Sequence, residues 1–254
     1  MSEWLNLIFR WAHVIAGVMW IGHLWFFNFV NSQLAKTYDA DSKRKVVPEL
    51  MPRALYWFRW GAAWTWITGI LLLGIVYYMG GSLMAKDSEL SVGAGTAISL
   101  AILVVGFLVY DTLWNTPVKK SPFAGTVISV LLLAGVSYGL GHMLSFSARA
   151  VSIHVGALFG TSMAANVWMR IWPAQKKIIA SIAAGNKPDP ALAAVAGMRS
   201  KHNTYMSLPL LALMTSNHYP LAYGWKWSIG LVVIGFVISW LLYKKAASAA
   251  PARY

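Results

Sequence analysis

Apolar residues gather in seven long blocks along this chain, separated by polar stretches. The blocks run approximately over 8–30, 56–79, 94–114, 123–146, 149–172, 203–219 and 225–243. Each approaches the roughly 20 residues that a helix needs to cross a bilayer. The pattern predicts an all-α, polytopic membrane bundle of about seven transmembrane helices, forming one domain over residues 1–254. The sixth block looks short by itself. Asp189-Pro190 supplies an N-cap and a first-turn proline, so a basic helix over about 190–202 is expected to lead into it, with a kink near Pro209. Gly135-x-x-x-Gly139 and Gly156-x-x-x-Gly160 predict close packing of spans four and five.

Charge fixes the expected orientation. When alternate connections are assigned to alternate sides, 17 of the 21 Lys and Arg fall on one side. Arg10, Lys86, Arg149 and Lys226 fall on the other. The positive-inside rule then puts the N-terminus in the periplasm and the C-terminus in the cytoplasm of a bacterial inner membrane. The first block lacks the basic start and small-residue cleavage site of a signal peptide, so it is expected to be retained. A net charge of +13 would suggest nucleic acid in a soluble protein. In a chain that is 58% hydrophobic, with a mean hydropathy of +0.56, it reads as loop charge that sets topology and touches anionic lipid. No nucleic-acid partner is expected.

Cysteine is absent, which excludes thiolate metal sites, iron–sulfur clusters and the attachment motif of covalent haem. Candidate chemistry falls to the six histidines. His13, His142, His154 and His218 lie on four spans near the outer side, whereas His23 and His202 lie towards the inner side. Four imidazoles at one depth suit haem b packed between helices, with its iron held axially by a pair among them. Ala16 and Gly17 would provide a small-residue face for the macrocycle, and Arg10 and Arg149 would pair with its propionates. His23 and His202, with Asn203, form a possible second site. Non-haem metal is the rival chemistry, but the outer histidines lack the i, i+3 or i, i+4 spacing of a helical metal motif. Asn166 is expected to make an interhelical hydrogen bond, and Asp111 to pair with Arg59 or a nearby lysine.

Three stretches also carry a family resemblance. They are Trp11-Ala-His13 through Trp20-Ile-Gly22, His154-Val-Gly156 through Asn166-Val with Pro173-Ala-Gln175, and Arg199-Ser-Lys-His202-Asn203 through Ser216-Asn217-His218-Tyr219-Pro220. They resemble the membrane domain of the bacterial urate hydroxylase, or membrane urate oxidase, family. The resemblance implies an integral membrane domain linked to oxidation of urate, with electrons passed to cytochrome c. It marks His13, His154, His202, Asn203 and His218 as the family-matching polar residues; His23 and His142 fall outside its pattern. Full-length relatives continue into a periplasmic cytochrome c domain, whereas this sequence ends in Lys244-Lys245 and a short Ala-rich tail. Electrons would then leave to a separate periplasmic cytochrome or quinone. The alternatives are a non-catalytic membrane subunit of a respiratory or photosynthetic complex and, with less support, a transporter.

Overall fold

The computed structural model describes residues 2–219 and 224–249. Pro220, the residues 221–223 and the tail carrying Arg253 lie outside that range. The described residues form a helical bundle with a single isolated β-bridge, Met84 to Phe146. Its helices are α1 (Ser2–Trp25), α2 (Ala40–Leu72), α3 (Val92–Leu113), α4 (Pro122–Tyr138), α5 (Ala148–Asn166), α6 (Trp172–Ala183), α7 (Pro190–Thr215) and α8 (Trp225–Ser248). Four of them run on into wider π turns: Phe26–Asn31 after α1, Leu73–Tyr78 after α2, Gly139–Met143 after α4 and Val167–Ile171 after α5. Six of the continuous helical segments are long and apolar enough to cross a membrane.

Two stretches expected as polar connections are largely helical. The 31–55 segment begins with the end of the first helical run, to Leu34, and α2 then starts at Ala40. Asp39 caps α2 by accepting from the Ser42 amide at 2.7 Å, and its bonds to Ser42 hold the carboxyl below the usual carboxylate range. Lys45 pairs with Asp41, and Arg53 with Glu49, one turn apart, continuing the helix through water-facing residues. Hydropathy finds only the part of a helix that lies in lipid, so this extension left no apolar signal. The 173–202 segment likewise holds α6 and the start of α7. Asp189 caps α7 by accepting from the Ala191 amide at 2.8 Å, as the sequence predicts.

At the centre stands α5. Of the apolar window in its helical segment 78% is buried, against 17% for α3. Val151, Val155, Met163 and Val167 are almost fully enclosed, whereas α3 turns Val104 and Leu108 outward, as a lipid-facing helix does. Around this centre α1 pairs with α2, and α7 packs between α5 and α8. The α1–α2 approach is tight: a Cβ on Gly61 would lie 3.0 Å from the Trp20 backbone nitrogen. Gly156 and Gly160 do mark a close contact, but with Leu213, Met214 and Leu210 of α7 rather than with α4. Gly135 and Gly139 meet open space. A small-xxx-small pattern says that some backbone can come close, not which one.

Gly235 on α8 seats against Pro209 of α7, where a Cβ would lie 2.6 Å from Cδ and 2.7 Å from the ring nitrogen. Proline has no flexible end to swing aside. Gly235→Val is therefore expected to cost about 1–3 kcal/mol or more through overpacking. Gly230→Val, with nothing within 4 Å of its Cβ, is the control. Thermal unfolding of the two variants in one detergent checks this; equal midpoints would reject the contact.

Candidate functional site

Two polar centres lie inside the bundle, one at each end of α5. The first is built on His154, which is 1% exposed. Ser147 caps the helix start, accepting from the Ala150 amide at 3.1 Å. One turn on, the Ala150 carbonyl takes a 2.7 Å bond from His154 Nδ1. A carbonyl only accepts, so Nδ1 carries the ring's proton and Nε2 of the neutral imidazole carries the lone pair. Nε2 lies 2.5 Å from Ser99 Oγ, and Ser99 lies 2.7 Å from the Tyr78 hydroxyl. The bonds therefore run one way, from Tyr78 to Ser99 to His154 Nε2. Tyr77 and Phe146 stand edge-on to the ring, with centroids 6.0 and 5.4 Å away. Arg149 lies over Tyr77 at 5.8 Å.

The other histidines are not gathered here. His13 is half-buried, with Nδ1 3.1 Å from Thr68 Oγ1. Thr68 donates its own hydrogen to the Trp64 carbonyl at 2.6 Å, so it accepts from His13 and leaves Nε2 unprotonated there too. His142 is exposed between Tyr138 and Trp225, at 4.7 and 5.8 Å, and His218 is exposed in the turn Ser216–His218. Of the four outer imidazoles, then, one is enclosed, His13 is held by Thr68, His142 packs between two aromatic rings, and His218 is exposed. Among the described residues no three His, Asp or Glu come close enough to hold a metal ion. The small-residue face is occupied as well: Ala16 is buried against Gly61, and Gly17 faces Thr65. Arg10 is exposed and bonds Asn6 on its own helix.

His23 and His202 have different partners. His23 donates from Nδ1 to the Met19 carbonyl at 2.7 Å and borders a cavity of about 460 Å³ with Gly22, Phe26 and Leu50. His202 packs edge-on to Trp114, with centroids 4.1 Å apart, and its Nδ1 lies 3.0 Å from the Tyr110 hydroxyl.

That hydroxyl belongs to the second centre. Asn166, the last residue of α5, donates to Tyr110 at 2.8 Å and to Asn203 Oδ1 at 2.9 Å; Asn203 donates onward to the Met163 carbonyl at 2.9 Å. Among the described residues His202 Nδ1 is the acceptor within reach of the Tyr110 hydroxyl, whose hydrogen it takes while Asn166 donates to the oxygen. This is the opposite ring polarity to His13, His23 and His154. Asp111 bridges two arginines. Arg170, carried by the π turn after α5, forks onto it through Nε and Nη2, and Arg199 Nη2 lies 2.9 Å from its Oδ1. The expected pairing of Asp111 with Arg59 or a lysine is overturned: Arg59 lies over the Trp172 ring at 4.0 Å.

Arg199, in the basic helix expected over about 190–202, is 0% exposed. Its Nη2 also reaches Asn115 Oδ1 at 3.2 Å, and its guanidinium carbon sits 5.2 Å from the Tyr110 ring centre. Nε and Nη1 meet no partner, nor does Oδ1 of the fully buried Asn166. Residue-by-residue reading missed this centre, although a signal was available. Asp111/Asn115, Asn166/Arg170 and Arg199/Asn203 are three polar pairs four residues apart, the first running off the end of α3, the second off the end of α5 and the third within α7.

A family model described as urate oxidase N-terminal matches residues 1–248, which takes in both centres. The chain belongs to the urate oxidase N-terminal family. No curated protein and no solved structure matches it. Membership makes this a urate hydroxylase-like membrane protein, in line with the resemblance read from its motifs. Of the family-matching polar residues, His154 anchors the first centre, and His202 with Asn203 the second. His13 and His218 belong to neither.

The histidines can also be tested as haem ligands on their hydrogen bonds. An axial imidazole needs Nε2 free of a proton and the far nitrogen tied to a carbonyl or carboxylate; His154 and His23 both meet these conditions, and of the two only His154 is fully buried. Releasing Nε2 would require the Ser99 hydrogen to turn back onto the Tyr78 hydroxyl. The donor chemistry at His154 fits. The exposed rings of His142 and His218 offer no enclosed ligand, and His202 carries its proton on the wrong nitrogen.

Proposed function

We propose that this chain is the membrane redox unit of a urate hydroxylase-type reaction, holding haem b through His154 and passing electrons to a separate periplasmic cytochrome or quinone. The observation that carries this reading is His154 itself, whose lone pair faces into the core while its proton is committed to Ala150. The haem would supply a one-electron carrier near the N-terminal end of α5. What the chain supplies is position. The Ala150 carbonyl fixes the ring's orientation, and Tyr77 and Phe146 exclude water on either side. The chain from Tyr78 through Ser99 ends on Nε2, the atom the iron would take, so with haem bound the Ser99 hydrogen would turn to the Tyr78 hydroxyl instead. Family membership supports urate as the reductant. The bias of basic residues supports an orientation with the Arg199 end in the cytoplasm and the His154 end at the periplasm.

Protein purified in detergent from haem-replete cells is expected to show a sharp Soret band, with the reduced α-band growing on anaerobic addition of urate. A colourless protein ends the proposal. A coloured protein that urate leaves oxidised would instead favour the subunit reading, with haem present but another reductant feeding it.

A further inference from the structure

His23, which the His154 centre leaves unused, borders a cavity with chemistry of its own. We propose that the groove between α1 and α2 binds an isoprenoid quinol from the bilayer, with a ring hydroxyl bonded to His23 and the tail laid along the tryptophans of α2.

The inner part of the groove is the cavity of about 460 Å³ beside His23, where Val18, Met19, Phe26, Leu50 and Ala54 supply only apolar side chains. A benzene-sized ring needs about 150 Å³, so one substituted ring fits with room for the start of a tail. His23 Nδ1 gives its hydrogen to the Met19 carbonyl, which leaves Nε2 of the neutral ring with its lone pair on the far edge. No described residue bonds that nitrogen. The lining therefore offers one side-chain nitrogen, an acceptor, and no carboxylate, ammonium or guanidinium group. The ligand that matches is uncharged, mostly apolar and equipped with an O–H donor.

Met19 also lines a second cavity, of about 580 Å³, walled by Ala12 and Ile15 of α1 and by Trp57, Trp60 and Trp64 of α2. Trp57 and Trp64 are about half-exposed within an apolar span, so this part opens sideways to lipid. Trp64 lies eight residues into the apolar block that begins at 56, about 12 Å at 1.5 Å per residue, below the interfacial level where tryptophan gathers. From Ala12 to Phe26 the two cavities follow α1 for 14 residues, about 21 Å, which suits a ring and its tail in line. A phospholipid chain fits the outer part but brings no donor to His23, which sits seven residues, about 10 Å, inside the end of its block at residue 30. A hydroxyl at that depth lies below the headgroups and belongs to a small lipophile. Quinol is a quinone after two electrons and two protons; its role as the reduced acceptor rests on the redox reading above, whereas its binding does not.

The full chain in detergent micelles, under argon at pH 8, is titrated with ubiquinol-2, menaquinol-2, the di-O-methyl ether of each and dioleoylglycerol, with the thermal midpoint as readout. At least one quinol is expected to stabilise the fold saturably. Its ether keeps ring and tail but has no hydroxyl hydrogen, and is expected to bind about ten-fold more weakly. His23→Leu is expected to bring quinol and ether to equal affinity. Gly22→Phe fills the cavity from a position where a Cβ meets nothing within 4 Å, and is expected to abolish binding of both. An ether or dioleoylglycerol that binds as tightly as the quinol, undiminished binding in Gly22→Phe, or no saturable shift from either quinol overturns the proposal and leaves the groove to ordinary lipid. Should His23→Leu fail to fold, the ether contrast in the unaltered chain decides alone. No step here needs haem or urate, so a colourless protein would end the redox reading and leave this result standing.

Discussion

Asp111→Ala is expected to destabilise the folded bundle by about 3–5 kcal/mol, a large effect for one surface-proximal carboxylate. The reason is what it leaves behind. Arg199 is 0% exposed and sits 2.9 Å from Asp111, so removing the carboxylate strands a guanidinium with no counter-charge. Arg170 loses its fork at the same time. Glu49→Ala is the matched control. It breaks an Arg53 pair whose members are each 72% exposed and is expected to leave unfolding unchanged. Thermal or denaturant unfolding of the three proteins in one lipid environment gives the comparison. A midpoint for Asp111→Ala near that of Glu49→Ala would show that Arg199 is not held by this carboxylate.

His154→Ala is expected to abolish haem retention altogether, whereas His142→Ala and His218→Ala leave the Soret band intact. The ordering follows from enclosure. His154 is buried with its lone pair directed inward, while His142 and His218 stand exposed on separate turns. Truncating His154 also removes the partner of Ser99 Oγ, so pigment must be compared per folded protein, read from gel filtration alongside the spectrum. His154→Ala with undiminished haem per folded chain would move the ligand elsewhere. Loss on His142→Ala would favour the arrangement of outer histidines that the sequence predicts.

The span assignments follow from a local rule. Any helix in hydrocarbon must be apolar for some 20 residues, and that demand is written into each block without reference to its neighbours. The Asp189-Pro190 start of α7 is local for the same reason, since a cap is satisfied within one turn. Asn166 as an interhelical hydrogen-bonding group was legible because an amide in a membrane span must find a partner across helices. The ends of α2 and α6 were not, because water-facing turns held by caps and i, i+4 pairs carry no hydropathy signal.

What the sequence determined by itself is therefore the all-helical, membrane-spanning class, the sign bias of the connections and the family to which the motifs belong. The tertiary structure alone decided which histidine is enclosed, that Gly156 meets α7, and that Asp111 answers Arg170 and Arg199 instead of Arg59. Each of these depends on how a helix is rotated about its own axis and on what a distant helix presents to it. An imidazole has the same spacing along the chain whether it faces lipid or core, and only packing fixes the difference.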